Sequence, residues 1–203
     1  MTVDQAIGSL KLAIQKVPPK YIRLYEPKIN VSPDQLERSF AYELYHQWSN
    51  ILEIYKTVNF KDSNLMINAE ISKDYNKIKY PDLILHDGQG NVDNQLLICE
   101  IKRDKAKDEH IKNDLEKLNL FLNSNSENFS SFEFKGAAFI MICCKKDFLK
   151  NKLKQIFPTK KSLLSSIKAV DKIICISVIL NDNVVEVQSF NLKDLYKEDL
   201  THS

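Results

Sequence analysis

Pro81-Asp82-Leu83-Ile84-Leu85-His86 and Leu96-Leu97-Ile98-Cys99-Glu100-Ile101-Lys102, joined through Asp87-Gly88-Gln89-Gly90-Asn91, decide how this chain is read. Both runs are short, apolar and separated by turn residues, which is the pattern of a β-hairpin built from buried strands. Both nonetheless carry charge. Side chains alternate along a strand, so Asp82 shares a face with Ile84, while Glu100 and Lys102 share a face with Leu96 and Ile98. Paired, the two runs bring two carboxylates and an ammonium onto one sheet. Ionised groups leave water at a cost of several kcal/mol each unless they are paired or coordinate a metal. The cluster therefore asks for a cation.

Upstream, Ser32-Pro33-Asp34-Gln35 is a strong helix start: a serine N-cap, proline at the first helical position and glutamine completing a capping box, with Val31 and Leu36 as a hydrophobic staple. At about 100° per residue Leu36, Phe40, Leu44, Ile51 and Ile54 form one stripe, with Arg38, Tyr42, Ser49, Glu53 and Lys56 opposite. Glu43 and Gln47 fall inside that stripe, one turn apart, and are expected to point at whatever it covers. Nearer the N-terminus, Ile7, Leu10 and Ile14 mark a short helix ended by Pro18-Pro19. Leu65 to Ile71 reads as a strand and is followed by a lysine- and tyrosine-rich connection from Lys73 to Tyr80.

Downstream, Ile111, Leu115, Leu118 and Leu122 predict a second amphipathic helix, and Ala137 to Cys143 another buried strand. A helical stretch around Phe148 to Phe157, a helix or loop from Lys160 to Val170, and a hairpin of Ile173 to Leu180 with Val184 to Phe190 complete the chain. The near-continuous apolar strands indicate a sheet covered on both faces. The expected class is α/β, a three-layer sandwich whose central mixed sheet is flanked by helices in the core order α-β-β-β-α-β, plus a C-terminal helix and hairpin. One domain spans 1–203: a helical arm over 1–31, a core over 32–145, and C-terminal helices and a hairpin over 146–203 that complete the sheet.

Composition sets modest bounds. The 203 residues are 43% hydrophobic and 28% charged, with formal net charge +2, values of an ordinary globular protein. That balance neither demands nor excludes a polyanion, since 29 basic residues can still be clustered; no strong basic surface is evident from the pattern. No run reaches 18 apolar residues and the first residues lack a secretory layout, so no membrane partner and a cytoplasmic location are expected. Cys99, Cys143, Cys144 and Cys175 lie in apolar strand-like runs with no metal spacing and read as buried thiols.

Hard oxygen ligands without histidine or cysteine spacing favour Mg²⁺ or Mn²⁺. Held by Asp82 and Glu100, such an ion polarises a phosphoryl oxygen and acidifies a bound water. Lys102, beside Glu100, orients or helps deprotonate that water and stabilises charge on the pentavalent phosphate. Glu43 is expected as a further ligand, with Gln47 in support. The chemistry is phosphodiester hydrolysis. Lys73, Lys77, Lys79 and Tyr80 are candidate nucleic-acid contacts, equally consistent with a polar loop. Arg103 and Lys105 after the strand are further candidates, for which a solvated helical entry is the stronger account. His46 and His86 are read as solvated or locally bonded.

The helix glutamate, Pro81-Asp82, Glu100-Ile101-Lys102, and the helix and strand that follow resemble the PD-(D/E)xK nuclease superfamily, the restriction-endonuclease-like fold. The resemblance covers roughly Gln35 to Cys143. It maps the family's helix acid to Glu43, its strand acids to Asp82 and Glu100, and its lysine to Lys102. It implies metal-dependent cleavage of nucleic acid, DNA favoured, by an endonuclease or exonuclease, and admits a homodimer or larger complex. The alternative on the same fold is a catalytically inactive module that binds nucleic acid or a partner protein, its charges surviving as a salt-bridged remnant. The enzyme reading requires the helix acid to converge with those of the hairpin.

Overall fold

The computed structural model describes residues 1–23, 33–59, 64–69, 81–88, 95–123, 134–142 and 145–197. Its helices are α1 (Val3–Lys16), α2 (Pro33–Asn59), α3 (Asp108–Leu122), α4 (Phe148–Ile156) and α5 (Lys160–Ser166). Its strands are β1 (Leu65–Ala69), β2 (Leu83–Asp87), β3 (Gln95–Arg103), β4 (Gly136–Ile142), β5 (Ile173–Asn181) and β6 (Val184–Asn191). They form a single six-stranded mixed sheet in sequential order β1-β2-β3-β4-β5-β6. The first three strands run antiparallel, β4 and β5 are each parallel to the strand before, and β6 returns antiparallel.

Alternation along the strands sorts the core into two layers. Leu97, Cys99 and Ile101 of β3 pack with α1 and α2, whereas Ile98 packs with α3, α4 and α5. The sheet is thus covered on both faces, as its apolar strands require. α1 is integral to the first layer. Its Ala6, Leu10, Ala13 and Ile14 are fully buried, and its buried Ser9 hydroxyl accepts a hydrogen bond from Trp48 Nε1 of α2 at 2.9 Å while donating to the Ala6 carbonyl. Gly136 opens β4 against α1: a Cβ there would meet Val3 at 2.6 Å.

Both hairpins expected from the sequence form. Asp182 and Asn183 take positive φ angles of 45° and 68°, matching the two-residue turn that suits the twist of β5 and β6. Gly88 closes β2 at φ 78°. Beside it, His86 is buried, with Nε2 meeting the Asn68 amide at 2.8 Å and Nδ1 the Gly88 carbonyl at 3.1 Å, so this histidine is locally bonded. Lys160 to Ser166 resolves as helix, started by a Thr159–Ser162 capping box. Cys99 and Cys175 are buried free thiols whose pKa burial pushes up. Among the described residues no helix is long and apolar enough to cross a membrane. The Ser32 capping box, Cys143 and Cys144 lie outside the described residues.

Candidate functional site

Strand pairing brings the first two acids near each other. The β2–β3 register ends at Leu83 opposite Cys99; Asp82 lies one residue beyond it and Glu100 follows Cys99 on the partner strand, near enough for the Asp82 charge to act on Glu100. Asp82 is fixed twice: its N–H donates to the Cys99 carbonyl at 3.1 Å, and its Oδ2 accepts the Ile101 N–H at 2.6 Å. Its carboxylate therefore stands in for a backbone acceptor at the end of the ladder. Glu100 is only 1% exposed and is ion-paired with Lys117 of α3. Lys117 also lies 3.7 Å from Asp114, one turn earlier on that helix.

Lys102 extends from the last turn of the strand to both flanking helices. Its ammonium is 2.9 Å from Glu37 of α2 and 3.2 Å from Asp114 of α3. Four acids, Glu37, Asp82, Glu100 and Asp114, thus surround two lysines, a formal excess of two acids in a site that is mostly out of water. The electrostatics follow. Burial pushes Glu100 well above the usual carboxylate range, Asp82 pushes it further, and Lys117 pulls it back. Burial also raises Asp82 and Glu37, against the pull of Lys102 on each. Burial opposes the charge on Lys102, yet Asp114, Glu37 and Asp82 outweigh it and hold the ammonium above its ordinary pKa.

The helix acid at this cluster is Glu37, and Glu43 is elsewhere. Glu43 accepts a hydrogen bond from Gln47 at 2.7 Å and lies 3.9 Å from His46, both on its own helix. The reason lies in the stripe. Among the described side chains of α2, Phe40, Leu44, Trp48, Ile51 and Leu52 are buried, whereas Ile54 is 65% exposed. At about 100° per residue, Trp48 and Leu52 turn the buried face away from Glu43 and put Glu37 near its centre. α2 also covers the sheet face of Cys99 and Ile101, opposite the face of Ile98. Only the length of Lys102, at the strand end, lets both layers reach one point.

Other expected contacts fare differently. Arg103 is 3% exposed at the end of β3; burial lowers its pKa against the pull of Asp104 and Glu37, so it is no surface phosphate grip. Lys105 is exposed. Lys73, Lys77, Lys79 and Tyr80 lie outside the described residues. Asp114 and Lys117 were not anticipated. Asp114 flanks the Ile111, Leu115, Leu118 and Leu122 stripe of α3 and is itself buried, a position where an acid needs a reason.

The donor set bears on a metal. Among the described residues no three acid, histidine or cysteine side chains converge tightly enough to cage an ion. The three-ligand set of Glu43, Asp82 and Glu100 is not assembled, so the convergence that the enzyme reading asks of Glu43 is not met; the helix acid that reaches the cluster is Glu37, through Lys102. Asp82 and Glu100, near enough to interact electrostatically, fit the other habit of Mg²⁺, which is one or two carboxylates completed by water and phosphate oxygens. No protein-family model matches this chain, and no curated protein or solved structure matches it either.

Proposed function

We propose that this protein is a divalent-metal-dependent nuclease of the PD-(D/E)xK type, restriction-endonuclease-like in its core, that hydrolyses phosphodiester bonds of nucleic acid, with DNA the favoured substrate. The observation carrying this reading is the joining of Asp82, Glu100 and Lys102 at neighbouring strand ends inside a charge cluster two acids in excess. Asp82 and Glu100 are the residues to hold Mg²⁺ or Mn²⁺, which when bound supplies Lewis-acid polarisation of the phosphate and a more acidic water. Asp82 is already oriented by the Ile101 amide, so its second oxygen has a fixed direction. Lys102, kept charged by three carboxylates, suits stabilising negative charge on the phosphate better than taking a proton. Glu37 and Asp114 position that ammonium from two sides.

The test is an incubation of the purified protein with plasmid, linear duplex, single-stranded DNA and RNA in Mg²⁺, Mn²⁺ or EDTA. Cleavage that needs the metal and disappears in Glu100→Ala and Lys102→Ala supports the enzyme. A specific observation favours a second reading, a non-catalytic module on the same scaffold: Lys117 already neutralises Glu100. Calorimetry separates the two, because a remnant network binds neither Mg²⁺ nor Mn²⁺ and gains no stability from them.

A further inference from the structure

Charge in this chain is strongly segregated. Between residues 145 and 172 there are nine lysines and two aspartates, a net +7, in a chain whose formal net charge is +2. The remainder is therefore net −5. This stretch builds α4 and α5, whose Leu149, Leu153 and Leu163 are buried in the α3-side core, so the fold holds like charges together on the outer side of two short helices. Lys145, Lys146, Lys154, Lys160 and Lys161 are exposed, and among the described residues none of these five has an acidic partner. Two shallow grooves run between them, one lined by Lys145, Lys146, Phe148 and Asn151, the other by Lys160, Lys161 and Lys168.

We propose that the lysine-bearing outer surface of α4 and α5 binds the phosphate backbone of duplex nucleic acid. Unpaired ammonium groups kept together by a folded core repel one another, and a polyanion relieves that repulsion while releasing its own counterions. The placement suits the proposed site. β4 is parallel to β3, with Ile142 registered on Arg103, so Lys145 and Lys146 follow the same end of the sheet that carries Lys102. Lys152 is ion-paired with Asp108 at the start of α3, tying this unit to the segment that leaves the site. A membrane surface is the poorer occupant, because an interfacial helix needs its apolar face free, whereas Leu149, Leu153 and Leu163 of α4 and α5 are in the core and Leu164 is the one large apolar side chain exposed among the described residues of these two helices. The choice of nucleic acid over another polyanion rests on the hydrolase reading, whereas binding itself does not require cleavage.

The experiment is fluorescence anisotropy with a labelled duplex in EDTA, across a salt series. It compares the wild-type protein, the fourfold variant Lys145→Ala/Lys146→Ala/Lys160→Ala/Lys161→Ala, and a control with Lys16, Lys20, Lys135 and Lys193 changed to alanine. Thermal melts establish that all three fold. The lysine-surface variant is expected to bind at least tenfold more weakly near 0.1 M salt, with a log–log salt slope shallower by up to about 3.6, while the control changes less than threefold. Equal losses in both variants, no wild-type binding to duplex, or binding to anionic vesicles in its place overturns the proposal. Cleavage assays keep the two ideas apart: a surface that binds in a protein that never cuts sinks the hydrolase alone, and a fourfold variant that binds like wild type sinks this inference alone.

Discussion

Lys102 Nζ lies 2.9 Å from Glu37 Oε1, a residue 65 positions earlier on the helix that covers the opposite face of the sheet. With Asp114 at 3.2 Å on its other side, this one ammonium joins the two helical layers at the strand end. The contact is mostly shielded from water, so it acts as both a clamp and a fixed positive charge.

Replacing Lys102 with alanine leaves Glu37 and Asp114 without their shared cation. Stability is expected to fall by about 1–3 kcal/mol in urea unfolding, and any metal-dependent cleavage by roughly a hundredfold or more. Glu37→Gln should keep most of the stability and lose part of the activity. A variant pair that alters neither stability nor cleavage removes Lys102 from the account.

The raised pKa values of Glu100, Asp82 and Glu37 set a pH dependence. A carboxyl whose folded pKa lies above its unfolded one stabilises the fold fully below the unfolded value, and that contribution is lost as pH rises through the folded value. Without divalent metal, these groups therefore weaken the protein on going from the ordinary carboxylate range towards neutrality. Glu100→Gln removes the largest of them and leaves Lys117 beside Asp114. Thermal melts in EDTA should show it more stable than wild type at pH 7.5, with the gap closing near pH 4.

Divalent metal should offset the same penalty. At a hundred times its Kd, Mg²⁺ or Mn²⁺ is expected to add about 2.7 kcal/mol, or roughly 5–10 °C in Tm for a chain of this size. Asp82→Asn should abolish the shift in calorimetry and in melts alike. An unchanged shift in that variant assigns the metal to some other place on the molecule.

Ser9→Ala tests the junction of α1 and α2. It strands the buried Trp48 Nε1–H, which now donates to Ser9 at 2.9 Å. The expected cost is about 1–3 kcal/mol in urea unfolding, with the charge cluster and its metal response untouched.

The sheet was legible because its strands are nearly uninterrupted apolar runs, and Asp82, Glu100 and Lys102 stood out as charges inside such runs. Glu37 was not, because a stripe drawn from leucine, isoleucine and phenylalanine alone passes over Trp48, and that tryptophan is what turns the helix. Nothing in the spacing of Asp114 and Lys117 sets them apart from helix-surface charges; only the seating of α3 on β3 drives them inward. The lysine-rich stretch from 145 to 172 was hidden by a whole-chain charge near zero, which averages a basic segment against an acidic remainder.

Each described strand hydrogen-bonds with its neighbours in the sequence and, among the described residues, with no other strand. A chain leaving the ribosome can therefore add strands in the order in which they are made, with no early strand waiting for a late one. All six charged members of the cluster lie between residues 37 and 117. The acidic cluster can thus assemble before the lysine-rich helices are synthesised, which spares its carboxylates a mispairing with those later lysines.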